Sequence, residues 1–73
     1  MKQPTHRITD IQDRIMAVWN NSDLQTEVFY PGIRADVAYA IGVAPNSATF
    51  NAAFDSLYWY QSGDGKLYCQ LDS

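Results

Sequence analysis

The segment LYWYQSGDGKLYCQLD, near the end of the chain, constrains the fold more than any other stretch. Ser62-Gly63-Asp64-Gly65 is turn chemistry, and residues alternate around it, with Leu67, Cys69 and Leu71 on one face and Lys66, Tyr68 and Gln70 on the other. A period of two suits a half-buried strand, and two such runs around a glycine-rich turn make a β-hairpin. An isolated hairpin is barely stable in water, so its apolar face must rest on another element. Upstream, the apolar residues recur at helical spacing, which makes helices the elements available to support it.

Ile8, Ile11, Ile15, Val18 and Trp19 predict a first helix. Thr9 followed by Gln12 reads as a capping box, Asp10 suits the first turn of the helix dipole, and Asp10 and Arg14 form a favourable i,i+4 pair. Asn20 and Asn21 are expected to stop this helix, since asparagine tolerates the left-handed conformation. In the second helix Ile33, Val37, Ala40 and Ile41 share a face, Ala35, Asp36 and Tyr39 point away, and Gly42 ends it. The turn APNS offers Asn46 or Ser47 as N-cap to a third helix whose stripe is Phe50, Ala53, Phe54 and Leu57, with Tyr58 at its end. Between the first two helices, TEVFY, closed by Pro31-Gly32, reads as a brief strand or extended link. Residues 1–7 are expected to be a flexible arm in which Lys2, His6 and Arg7 make a small cationic patch.

At 73 residues the chain is one domain, near the lower end of what buries a core without staples. The expected core is Ile11, Ile15, Val18, Trp19, Val37, Ile41, Phe50, Phe54 and Leu57. Cys69 is the only cysteine and His6 the only histidine, so the chain has neither an internal disulfide nor a zinc-type ligand set. Cys69 falls on the inward face of the hairpin, where a thiol is a packing residue. MKQPTHRITD lacks the apolar centre of a signal peptide and VAYAIGVA is too short to span a bilayer; a cytoplasmic protein with no membrane contact is expected. GDG between two strands is hairpin chemistry and no phosphate loop, and Asp10, Asp13, Asp23 and Glu27 read as solubilising charges. Enzymatic activity, a cofactor, a metal and a small-molecule substrate are therefore not expected.

Helix, short strand, helix, turn, helix, hairpin is an α+β order that resembles the winged helix-turn-helix family from about Ile8 to Leu71. The sharpest match is the small and apolar spacing of Val37-Ala38 and Ile41-Gly42-Val43, in which Ala38 lets the next helix approach and Gly42 makes the turn. The next apolar anchor, Phe50, comes later than in the family, with Pro45 between. The resemblance implies a single winged-helix domain over residues 8–73.

In winged helices that read DNA the third helix turns its outer face to base edges. Here that face is expected to hold Ala48, Ala52, Asp55, Ser56 and Trp59, with Thr49 and Asn51 at its edges, and it carries no arginine or lysine. Duplex affinity comes largely from neutralised phosphates, and a formal net charge of -3 opposes it. A DNA-binding repressor or excisionase-like protein is the alternative reading; it would need Arg34, Asn51 and Lys66 to carry contacts, in a dimer.

Winged helices also serve as protein-binding modules, and Tyr58, Trp59, Tyr60 and Tyr68 are residue types that interfaces favour. Strand alternation keeps Trp59 off the face of Tyr58 and Tyr60. The expected partner-binding set is Asn51, Asp55, Ser56, Trp59, Tyr60, Lys66 and Tyr68. The resemblance then implies a non-enzymatic transcription regulator acting by protein contact, with the RNA polymerase machinery as the first partner to consider. A small, acidic, single-domain chain of this plan also resembles the short phage-encoded proteins that bind a host RNA polymerase.

Overall fold

The computed structural model describes the backbone of residues 4–72 and the side chains of residues 8–72. Three helices, α1 (Pro4–Trp19), α2 (Ile33–Ile41) and α3 (Ala48–Asp55), are followed by strands β1 (Leu57–Gln61) and β2 (Leu67–Leu71). The strands pair antiparallel as a two-stranded hairpin, so the fold is α+β with the layout expected of a winged helix.

Helix α1 starts earlier than its apolar stripe. Pro4 opens it, which suits a residue whose φ is already helical and whose missing N–H would have no partner there. Residues 4–7 of the expected arm are thus helical in backbone; residues 1–3 and the side chains of His6 and Arg7 lie outside the described residues. Thr9 consequently sits inside the helix and cannot be its cap. Gln12 does not close a capping box either: it is buried and donates from Nε2 to the Ala53 carbonyl at 3.3 Å, tying α1 to α3. Arg14 reaches the Ile41 carbonyl at 2.6 Å instead of pairing with Asp10, placing a cation where the end of α2 leaves carbonyls unpaired.

Asn20 and Asn21 end α1 by another route than the expected one, because no non-glycine residue among those described has positive φ. Asn20 turns its amide onto β2, donating to the Cys69 carbonyl at 2.9 Å and accepting from the Cys69 N–H at 3.1 Å. Gly42 does end α2 in the left-handed region, at φ 80°, with the Val43 N–H closing onto the Ala38 carbonyl at 3.0 Å. Ala38, wholly buried, completes the inner face of α2 beside Ile33, Val37 and Ile41, while Ala40 is exposed, on the opposite side of the helix from Ala38. Ser47 is the N-cap of α3, its Oγ accepting from the Phe50 N–H at 3.2 Å.

Two boundaries differ from the sequence reading. Helix α3 ends at Asp55, and Leu57 and Tyr58 belong to β1. Leu57 follows Phe54 on a helical face and precedes Trp59 on a strand face, so its burial suits either assignment. The expected strand in TEVFY is reduced to one rung, from the Leu67 N–H to the Thr26 carbonyl at 2.7 Å. The rest of that edge of β2 is occupied by side chains: Trp19 Nε1 and Gln25 Nε2 donate to the Leu67 carbonyl at 2.8 and 3.2 Å, and Asn20 takes both groups of Cys69. With those backbone groups satisfied, no further strand is needed there.

The core lies where α1, α2 and α3 meet the inner face of the hairpin. Trp19, Phe50, Ile15, Val37 and Cys69 are its largest wholly buried side chains, joined by Ile11, Phe54, Leu57 and Leu67. Val18, expected in the core, packs at its margin.

Candidate functional site

The hairpin register sets Tyr58 opposite Gln70 and Tyr60 opposite Tyr68, so these four share the outer face while Leu57, Trp59, Leu67 and Cys69 point inward. Adjacent tyrosine rings lie nearly parallel, Tyr58 and Tyr60 at 5.9 Å and 16°, Tyr60 and Tyr68 at 6.0 Å and 22°. They form one row, with Tyr58 at its open end, 51% exposed. The other end is anchored at the turn: the Tyr68 hydroxyl donates to Asp64 Oδ2 at 2.7 Å, and Asp64 Oδ1 accepts from the Lys66 N–H at 3.0 Å. The bond from Tyr68, followed by that from the Lys66 backbone, holds the Asp64 carboxyl below its ordinary range. The same bond, first, and desolvation, second, raise the Tyr68 hydroxyl. A tyrosine row already held in place loses little rotamer freedom when something docks on it.

Trp59 lies on the other face. Its ring meets Trp19 edge-on at 5.4 Å, Phe29 edge-on at 5.2 Å and Phe54 at 5.1 Å, within an inner aromatic cluster. Its indole N–H is buried with no acceptor among the described residues. The structure therefore separates Trp59 from Tyr60 and Tyr68, with which the sequence grouped it as a contact residue. In its place the outer face gains Tyr58, which the expected set omitted although it has the same strand parity as Tyr60.

Asn51, Asp55 and Ser56 make a second group on α3. Arg34, from α2, donates to Asn51 Oδ1 at 2.8 Å, pairs with Asp55 Oδ1 at 2.8 Å and lies 4.7 Å from the centre of the Phe54 ring. Asn51 spends its own N–H groups on the Pro45 and Ser47 carbonyls, at 3.0 and 2.8 Å, which fastens the turn that leads into α3. Ser56 turns its hydroxyl back onto the Ala52 carbonyl at 2.8 Å. The expected partner-binding set held Asn51 and Asp55 without Arg34, which the alternative DNA reading set beside Asn51; that Arg34 bonds to both was not legible, because the contact joins two helices. An exposed pair such as Arg34 and Asp55 contributes on the order of 0–1 kcal/mol to stability, yet it neutralises the cation nearest this face.

Lys66 is exposed at the turn, beside Asp64. Cys69 is 1% exposed, and burial pushes its thiol up to about 12, far from the thiolate a nucleophile needs. Among the described residues, no cluster of His, Cys, Asp and Glu is arranged to hold a metal ion. Among the described residues, no helix is long and apolar enough to cross a membrane. Comparison with protein families, curated proteins and solved structures finds no match to this chain.

Proposed function

We propose that this protein is a non-enzymatic regulator of transcription that acts by binding another protein, with the tyrosine row of the hairpin as its contact face. The observation that carries this reading is the row itself: Tyr58, Tyr60 and Tyr68 lie ring to ring on the outer face of the sheet and are not needed to fill the core. Tyrosine suits such a face because it brings contact area and a hydroxyl at low entropic cost. Duplex DNA is the poorer partner. Of the residues that a DNA reader would need, Arg34 is paired with Asp55 and Asn51 is saturated by Arg34, Pro45 and Ser47. Of those three residues only Lys66 remains to meet a phosphate, on a chain of net charge -3.

The RNA polymerase machinery is the partner proposed first, on the winged-helix layout and on the likeness to short phage-encoded proteins that bind a host polymerase. The test is binding of the purified protein to immobilised bacterial RNA polymerase holoenzyme, beside anisotropy of a labelled mixed-sequence duplex at low and physiological salt. Polymerase binding that drops at least tenfold in the Tyr58→Ala, Tyr60→Ala double variant, with no salt-sensitive duplex binding, supports the proposal. Polymerase binding indifferent to both substitutions would move the contact off the hairpin; duplex binding that falls steeply with salt would overturn the protein-contact reading.

A further inference from the structure

The two edges of the hairpin are treated differently. On β2, the outward backbone groups of Leu67 and Cys69 are met by Thr26, Trp19, Gln25 and Asn20. Because those groups face away from β1, and because the Ser62 N–H bonds the Lys66 carbonyl at 2.9 Å, the hydrogen-bonded pairs within the hairpin are Tyr58 with Gln70 and Tyr60 with Tyr68. The backbone N–H and C=O groups of Leu57, Trp59 and Gln61 then point out of the free edge of β1. Among the described residues the sheet has two strands, and no backbone hydrogen bond reaches Leu57, Trp59 or Gln61 from outside the hairpin.

Natural proteins blunt such an edge with lysine, proline or a bulge. Leu57-Tyr58-Trp59-Tyr60-Gln61 has no charged residue and no proline, and its register with β2 is unbroken. An unpaired edge of this kind asks for an extended backbone. We propose that its occupant is the same strand of a second copy, giving a two-fold dimer in which β1 pairs antiparallel with β1 of the partner and the two hairpins join into one sheet. Three features favour this occupant.

First, the register that pairs the whole strand sets Trp59 opposite Trp59 of the partner subunit and Leu57 opposite Gln61 of the partner subunit, all residues whose backbone N–H and C=O point out of the free edge, so every free backbone group meets its complement. Second, that register sets Tyr58 opposite Tyr60 of the partner subunit, twice, and carries the tyrosine row across the joint as cross-strand aromatic pairs. Third, a chain of net charge -3 repels its copy in general, but this strand brings no charge to the two-fold axis, and Asp55, just before it, is paired with Arg34. Strand pairing alone buries less than the about 1,200–2,000 Å² of a stable interface, so the dimer forms reversibly as concentration rises. The proposal is independent of the transcription partner, since the tyrosine face stays outward in the dimer.

Sedimentation equilibrium and amide hydrogen exchange on the full chain, over a wide concentration range, test it together. The expected result is a mass that rises from 8.3 kDa towards twice that value, with slowed exchange at the Leu57, Trp59 and Gln61 amides. Tyr58→Lys with Tyr60→Lys sets like charges across the two-fold axis and should weaken the dimer at least tenfold. Tyr58→Lys with Tyr60→Glu sets opposite charges across it and should restore association; both pairs lie on the outer face, and circular dichroism verifies that each variant is folded. A monomer at every concentration, or a dimer that ignores both variants and leaves those three amides fast, overturns the proposal.

Discussion

Asn20 does the work of a strand with one side chain. Its amide offers a donor and an acceptor in the order that the Cys69 carbonyl and N–H require, which closes an edge of β2 that TEVFY leaves unpaired after a single rung. Removing it with Asn20→Ala leaves two part-buried backbone groups without protein partners, at a cost of about 1–3 kcal/mol. Asn20→Asp is no rescue, because a carboxylate can accept from the Cys69 N–H but cannot donate to its carbonyl. Urea unfolding checks both: midpoints lowered in each variant, at unchanged slope, are expected, and a midpoint within error of the wild type for Asn20→Ala would show that water replaces the amide at no cost. The sequence marked Asn20 as the end of a helix and marked it correctly, but its partner lies 49 residues away, beyond what local pattern can reach. Trp59 teaches the converse. Strand parity alone separated it from Tyr58 and Tyr60, whereas the count of nearby aromatics, which ignores direction, grouped it with Tyr60 and Tyr68.

Among the elements, those with a strong period were legible and those defined by tertiary pairing were not. All three helices and the hairpin follow from apolar spacing and turn chemistry. The boundary between α3 and β1 was hidden because Leu57 is buried on either reading, and the third strand failed because side chains took its hydrogen bonds. Gly42 was legible for a reason that can be measured. It holds φ 80° to turn the chain from α2 towards α3, and a Cβ there would meet nothing within 4 Å, so the backbone conformation alone demands glycine. Gly42→Ala should therefore cost about 1–2 kcal/mol, as a left-handed alanine does. Gly63 also has open space around it but no positive φ, and Gly63→Ala should fall within about 0.5 kcal/mol of wild type. Thermal unfolding of the two variants side by side separates conformation from crowding, and equal midpoints would mean that the α2–α3 turn relaxes freely.

At the scale of the whole molecule, a chain of 73 residues holds only roughly 4–11 kcal/mol of net stability, so a single core side chain can be a large share of the total. Phe50 is wholly buried beside Phe54, on the helix that Gln12 ties to α1, and it has no exposed edge through which the site could collapse or admit water. Phe50→Ala removes about 3–5 kcal/mol, from roughly a quarter of that total to all of it. The expected outcome is a midpoint depressed by tens of degrees or no cooperative transition at all. Tyr58→Ala, at a site half open to solvent, should leave the transition nearly in place. The contrast matters because both residues are aromatic and only eight positions apart in the chain. If scanning calorimetry finds Tyr58→Ala as damaging as Phe50→Ala, the tyrosine row is part of what holds the fold together and cannot be a face kept free for a partner. If Tyr58→Ala is silent, the hairpin has an outer surface that stability does not require.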